Sequence, residues 1–512
     1  MHKRSIPPLE TSYLNTQLLQ VNTIIRHGAR TPWSNSRCWD DVEFNWDCEL
    51  QTVLGPPINK DNVYGVKPHF LFDKNYDAFE EIKEEEKVED KPKTFLLSNF
   101  LNGTCELGQL LQEGYDQHIQ NGKILRLAYF QPRNKPKLNL FLNLALNETY
   151  QEPYLYYRSD DMPRTLMSGQ TLLQSLFGTS ISTNKDLTRI VVHTGDYKND
   201  ILIPNPSTCP KLNDILIDAK NSKSYQTLVS KIQSHESMLK YKHLNGDEKN
   251  IMDCLMTTIC TDRSLPPGLN DFDGEEGNST FATLMNYDTL QWGYTFTFNN
   301  AQYSKLAIGP LWAEIIDKVK LAQERRNIHQ KDNSPRMTLY SGHDDTIMPL
   351  LATLGPWFQK NMIWAPYASM FIIEIHGVLN KNEIVKHVFR LVYNGQVLTK
   401  HIDECNDELC DLDNLLNLVA PFATRDRDCD SHQIIKPLYK QKKQKDASSS
   451  PTIIGFFLLS FICTLLGALF TYIYMTFLIV DMKVQYGTAN LDVDGEYRDD
   501  ANASRRPEIH FI

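Results

Sequence analysis

Arg26-His27-Gly28-Ala29-Arg30-Thr31-Pro32 places two guanidinium groups and an imidazole within five residues, directly after an apolar run. Two other stretches end the same way. Tyr154-Leu-Tyr-Tyr157 runs into Arg158, and Met337-Thr-Leu-Tyr340 runs into Ser341-Gly342-His343-Asp344-Asp345. Brought together, Arg26, His27, Arg30, Arg158, His343 and Asp344 supply three guanidinium groups, two imidazoles and one carboxylic acid. That set suits phosphoryl transfer. Planar, permanently charged guanidinium groups match phosphate oxygens and stabilise the charge of the transition state. An imidazole nitrogen can attack phosphorus if its other nitrogen is held by an acceptor. A desolvated Asp with a raised pKa can protonate the leaving alkoxide below neutral pH. The arginines take the place of a cation, so no metal and no cofactor is expected. The sequence offers no HExxH and no carboxylate cluster with metal-ligand spacing.

The elements that must position these groups follow from the apolar pattern. Leu18 to Ile25 reads as a buried strand, with Arg26 at its carboxyl end and Gly28 free to turn the chain. Tyr154–Tyr157 and Met337–Tyr340 read as two more strands. Each is followed by a helix, Thr165 to Phe177 and Thr346 to Leu354. Asp160 or Asp161 suits the cap of the first helix and Gly355 the end of the second. Open α/β sheets bind ligands at the carboxyl ends of their strands, so neighbouring strands here would join the six groups in one site. The region from 205 to 330 is rich in helical stretches and reads as a helical cap. His118, His193 and His376 read as packing or surface residues.

The chain has 512 residues, 53 Lys and Arg against 63 Asp and Glu, and a net charge of -10, which disfavours nucleic acid as a partner. A small anion at one basic site is compatible with that balance. Ten cysteines without a CxxC pair, and sequons at Asn102, Asn147 and Asn278, favour an oxidising secretory compartment and a glycoprotein. Setting Cys463 aside leaves an odd cysteine. Residues 453–480 carry no charge over a length sufficient to cross a bilayer. The expected layout is a catalytic domain over 18–432, a linker over 433–451, a transmembrane helix over 452–480 and a polar tail over 481–512. Lysines before the span favour a cytoplasmic flank, but large domains translocate largely regardless of such bias. The catalytic domain is therefore expected to be lumenal or extracellular. No apolar leader is visible in the first 20 residues, so either the start is incomplete or entry uses the late span. The sequence does not fix the oligomeric state, and the chain could pair as a homodimer.

RHGARTP fits the RHGxRxP signature of the histidine acid phosphatases, and the chain resembles that family over about residues 18 to 430. Gly114 to Arg126 is similar to its GxxQ segment, and Tyr157 to Ser168 to its RSTDxDRTLMS segment. Tyr340 to Thr346 resembles its HD segment and Trp364 to Ser369 its PPYAS segment. The resemblance implies a three-layer α/β core with a central, mostly parallel sheet and an inserted helical cap. It implies that His27 becomes a phosphohistidine, that Arg26, Arg30, Arg158 and His343 bind phosphate, and that Asp344 protonates the leaving group. It implies the disulfides Cys405–Cys410 and Cys209–Cys429. The single-span layout looks like the lysosomal acid phosphatases. Pro163 and Asp345 depart from the family pattern, and Asp345 is expected to raise the pKa of Asp344 further. The tail lacks a tyrosine-based sorting signal. The expected activity is phosphate monoester hydrolysis, with lysophospholipid, inositol phosphate or phospho-sugar as specialised substrates. The alternative is a catalytically silent membrane glycoprotein of the same fold.

Overall fold

The computed structural model describes residues 5–9, 15–33, 38, 44–46, 48, 69–75, 105–130, 152–177, 189–196, 200–233, 251–265, 280–327, 333–425 and 428–429. The expected membrane span, the tail, the three sequons and the acidic run at 79–90 lie outside them. Among the described residues, no helix is long and apolar enough to cross a membrane.

Among the described residues, nine strands form one sheet: β1 (Thr16–Arg26), β2 (His69–Asn75), β3 (Leu155–Ser159), β4 (Arg189–Gly195), β5 (Met337–Gly342), β6 (Met370–Asn380), β7 (Glu383–Tyr393), β8 (Gln396–Val397) and β9 (Cys410–Asp411). Their order is β2-β4-β3-β5-β1-β6-β7-β8, with β9 on β7. The three strands expected to carry the site are adjacent and parallel, β3 beside β5 beside β1. The fold is α/β, but the sheet is mixed rather than mostly parallel. From β2 to β1 all pairings are parallel, and from β1 to β8 all are antiparallel. The reason is the connection between β6 and β7, which spans only Lys381 and Asn382. A loop that short joins antiparallel strands only.

Both faces of the sheet are covered. Val21 and Ile25 of β1 point into a core with α1 (Gln112–Leu125) and α2 (Pro163–Phe177). Ile24 points the other way, into a core with α3 (Lys211–Asn221), the long segment α6 (Thr280–Gln323) and α7 (Asp344–Ala352). Alternation along β1 therefore feeds two cores, which is why the strand reads as a nearly continuous apolar run. Its polar residues are satisfied internally. Gln20 donates to the carbonyls of Lys318 and Pro335 at 2.9 Å, and Asn22 accepts from the Thr338 hydroxyl at 2.8 Å.

Between Lys211 and Gln323 the described residues form helices α3, α4 (Lys223–Gln233), α5 (Ile251–Ile259) and α6, with no strand. Segment α6 breaks at Phe298–Ala301, where Asn299, Asn300 and Ala301 take positive φ. Beyond the break it packs Leu306, Leu311, Trp312 and Ile315 on the sheet. That half belongs to the core layer and not to a separate cap.

Cys405–Cys410 and Cys209–Cys429 are bonded as the resemblance implies. Cys38–Cys254 and Cys48–Cys105 are two further bonds, and Cys260 lies outside all four.

The turn after β1 lies flush against α1. A Cβ on Gly114 would sit 2.4 Å from the Ala29 carbonyl oxygen, and one on Gly28 would sit 2.5 Å from the Gly114 Cα. Gly114→Ala must push helix and turn apart. The expected loss is about 1–3 kcal/mol, read as a lowered denaturation midpoint. An unchanged midpoint would show that this close approach does not constrain the fold.

Candidate active site

The ends of β1, β5 and β3 are level. Arg26 pairs with Gly342 and Ser159 with Ser341, and the His27 N–H donates to the Gly342 carbonyl at 2.9 Å. Around these ends lies a cavity of about 390 Å³, within the range of small-molecule sites. Of the six residues expected from sequence, Arg26, His27, Arg30, His343 and Asp344 line it. Arg158 is not among the lining residues. It sits on the β3 face turned toward α6 and pairs with Glu314 at 3.2 Å. Arg164, in the first turn of α2, lines the cavity in its stead. Sequence spacing cannot separate two arginines six positions apart; the direction of one β side chain does. His118, His193 and His376 do not line the cavity, and the latter two face Glu152 and Glu374.

The segment after β1 is fixed by bonds from three directions. The Gly28 N–H donates to the Ser168 hydroxyl of α2 at 3.1 Å, and the Ala29 N–H donates to the Gln117 side chain of α1 at 3.0 Å. The Ala368 N–H donates to the His27 carbonyl at 2.9 Å. His27 is 1% exposed, with Nδ1 2.8 Å from the Gly28 carbonyl oxygen. A carbonyl only accepts, so Nδ1 carries the hydrogen and Nε2 keeps its lone pair. Burial, followed by the charges of Arg164, Arg26, His343 and Arg30, holds this imidazole well below its ordinary pKa. It therefore stays neutral in acid, where an exposed histidine would be charged.

Three of the groups beside it face a carboxylate. Arg26 pairs with Asp344 at 2.9 Å, donates to the Ala365 carbonyl at 2.6 Å and lies 4.3 Å above the Tyr367 ring. Arg30 pairs with Asp253 of α5 at 2.8 Å. His343 Nε2 is 2.5 Å from Asp160 Oδ2. Burial pulls Arg164 down to about 10, and Arg30 adds to that pull.

The expectation for Asp344 needs correction. Burial does push its carboxyl up, but Arg26, His343 and Arg30 outweigh it, and the net shift is downward. The carboxylate also accepts from the Trp364 indole N–H at 2.9 Å and from the Asp345 N–H at 3.1 Å. The raised group is its neighbour. Burial and the Asp344 charge push Asp345, which also lines the cavity, up to about 7.

Sequence reasoning gave no role to Arg164, Asp253, Trp364 or Tyr367, and it read Asp160 only as a candidate helix cap. The segments holding Arg164, Trp364 and Tyr367 were visible through the family resemblance. Asp253 had no signal at all, because only the fold brings α5 to Arg30.

An α/β enzyme with a neutral buried imidazole among guanidinium groups is built to handle a compact anion. The chain belongs to the histidine phosphatase superfamily (branch 2), whose family model matches residues 17–394. It is 25% identical over 414 residues to Counting factor 60 of Dictyostelium discoideum, covering 80% of this chain and 86% of that protein. It is 24% identical over 423 residues to lysophosphatidic acid phosphatase type 6 of Homo sapiens, covering 81% and 85%. It is 26% identical over 330 residues to human lysosomal acid phosphatase, covering 62% and 71%. The chain is a phosphatase, a phosphoric monoester hydrolase.

Asp345 makes the cavity pH-sensitive. Below about pH 7 it is neutral; above that it adds a negative charge that opposes a phosphate dianion. Asp345→Asn stays neutral throughout. It is expected to raise kcat/KM at pH 8 roughly fivefold relative to wild type, about 1 kcal/mol of removed repulsion, with little change at pH 5. Superimposable pH profiles would show that Asp345 does not set the alkaline limb.

Proposed function

We propose that this chain hydrolyses phosphate monoesters through a phosphohistidine on His27. The observation that carries the reading is the hydrogen bond from Nδ1 to the Gly28 carbonyl, which leaves Nε2 with a lone pair inside the cavity. Nε2 attacks phosphorus, the bond to the leaving oxygen breaks, and Asp344 gives that oxygen a proton. Water then attacks phosphorus, Asp344 takes a proton back, and the P–N bond breaks to release phosphate. Arg26, Arg30, Arg164 and His343 hold the phosphate oxygens. Arg164 replaces Arg158 in this role because it lines the cavity while Arg158 is paired with Glu314.

Asp344 is ionised in the empty cavity. A bound dianion competes for Arg26 and places negative charge beside the carboxylate, and both effects raise its affinity for a proton. The acid is thus made on substrate binding.

The substrate reading that the cavity favours is an ester with an apolar leaving group. Trp33, Met162, Ile203, Pro204, Met256 and Trp292 form its apolar lining. A second cavity of about 400 Å³, between α3, α4 and α6, shares Asp288 and Trp292 with it. A lysophospholipid fits this outline better than a phospho-sugar. We read residues 18–432 as the catalytic domain, with a helical cap contributed by part of 205–330. We read 452–480 as a membrane helix that holds this domain on the lumenal or extracellular side. One human relative is named as a lysosomal enzyme, in keeping with that side of the membrane.

The test uses the full chain with an aryl phosphate, glycerol phosphate and a lysophosphatidate. His27→Ala is expected to abolish turnover and acid-labile phosphoenzyme; turnover at the wild-type rate would overturn the mechanism. Asp344→Asn should impair the alkyl esters far more than the aryl ester, and equal losses would remove it as the acid. Arg164→Ala should lower kcat/KM by roughly a hundredfold or more, and Arg158→Ala far less. The reverse order would return the phosphate role to Arg158. Preference for glycerol phosphate over the lysophosphatidate would overturn the substrate reading. Protease protection in sealed vesicles tests the topology.

A further inference from the structure

The buried pair between Asp160 and His343 has no part in the bond-breaking steps, yet it sits directly behind them. Asp160 ends the β3 strand region and is 1% exposed. Its Oδ2 is 2.5 Å from His343 Nε2, and its Oδ1 accepts from the Thr165 hydroxyl. Its own N–H reaches the Ser341 carbonyl on β5 at 3.4 Å. Both carboxylate oxygens and the backbone are therefore fixed, and the side chain holds one orientation. His343 lines the cavity, and its ring stands edge-on to His27 with centroids 5.1 Å apart. Asp160 is not among the lining residues.

We propose that Asp160 is a positioning residue for phosphate binding: through Nε2 it fixes the His343 ring in the orientation in which that ring lines the cavity. The inference rests on the reading of the cavity as a phosphate site. A carboxylate is an acceptor only, so the ring nitrogen facing it must carry hydrogen. That commits Nε2 and stops the ring from rotating away from the cavity that it lines. This is the orienting role that a buried carboxylate plays for any histidine that must hold one orientation.

The surroundings fit a fixed charge at this point. Asp200, buried on the segment after β4, is pushed up to about 7 by burial and by the charge of Asp160. Arg164 on α2 and Asp344 on α7 are charged neighbours of the pair, and the neutral His27 ring lies beside His343.

The test is a double-mutant cycle read on inorganic phosphate. Asp160→Asn keeps the shape and an acceptor oxygen but removes the charge. In the full chain, calorimetric titration with inorganic phosphate is expected to give a Kd about tenfold weaker, roughly one pKa unit's worth of interaction. KM for an aryl phosphate should rise in parallel, with kcat changed less. In a His343→Asn background, Asp160→Asn should weaken phosphate binding no further, because its effect runs through the histidine. Additive losses in the cycle would overturn the proposal, as would a folded Asp160→Asn chain with wild-type phosphate affinity. If Asp160→Asn fails to fold, Asp160→Thr is measured in the same cycle with the same expectation. Failure of wild-type chain to bind phosphate would overturn the parent reading together with this one, whereas loss of turnover without loss of binding touches neither arm of the cycle.

Discussion

Cations packed into one buried cavity repel each other, and the site depends on how that repulsion is offset. Three arginines and two histidines line the pocket after β1, β3 and β5. Like charges at such spacing in a poorly hydrated site would drive the loops apart. Three of these groups each face a carboxylate: Asp344 for Arg26, Asp253 for Arg30 and Asp160 for His343. The three acids come from α7, α5 and the end of β3. The charges that prepare the pocket for an anion thus also tie together the elements that surround it. His27 has no such acid: burial first, and then its neighbours' charge, keeps it neutral.

The ordering of loops and helices around that pocket follows from small contacts. Gly28 against Gly114 lets two backbones touch, and Ser168 and Gln117 receive the N–H groups that the turn leaves over. The segment from Trp364 to Ser369 works from the opposite side. The Ala365 carbonyl holds Arg26, the Trp364 indole holds Asp344, and the Tyr367 ring supports the guanidinium group from below. Pre-set geometry of this kind is what makes hydrogen-bond donors effective on a transition state.

Much of this was legible in the chain itself. The strand, polar turn and helix around residues 18–32, 154–177 and 337–354 could be read because apolar runs end abruptly in charged residues. Their adjacency in the order β3-β5-β1 could not, since pairing across the sheet leaves no local trace. Arg158 and Arg164 illustrate the limit at the site. Both are basic and close in sequence, and only the face of β3 separates them. The direction of the Asp344 shift is another. Burial argues upward and Arg26 downward, and a distance of 2.9 Å decides between them. The antiparallel half of the sheet was missed although its cause, a two-residue connection between β6 and β7, lies in plain view. The bonds Cys38–Cys254 and Cys48–Cys105 join residues whose spacing carries no signal.

The position of β5 has a consequence in time. Strands β1 and β3 do not pair with each other; each pairs with β5, which lies between them. Yet β5 begins at Met337, far along the chain. As a nascent chain grows from its amino end, the histidine and the arginines of the first half emerge long before the strand that draws them together. His343 and Asp344 arrive with that strand. A chain cut short before residue 337 lacks the strand that sets β1 and β3 side by side.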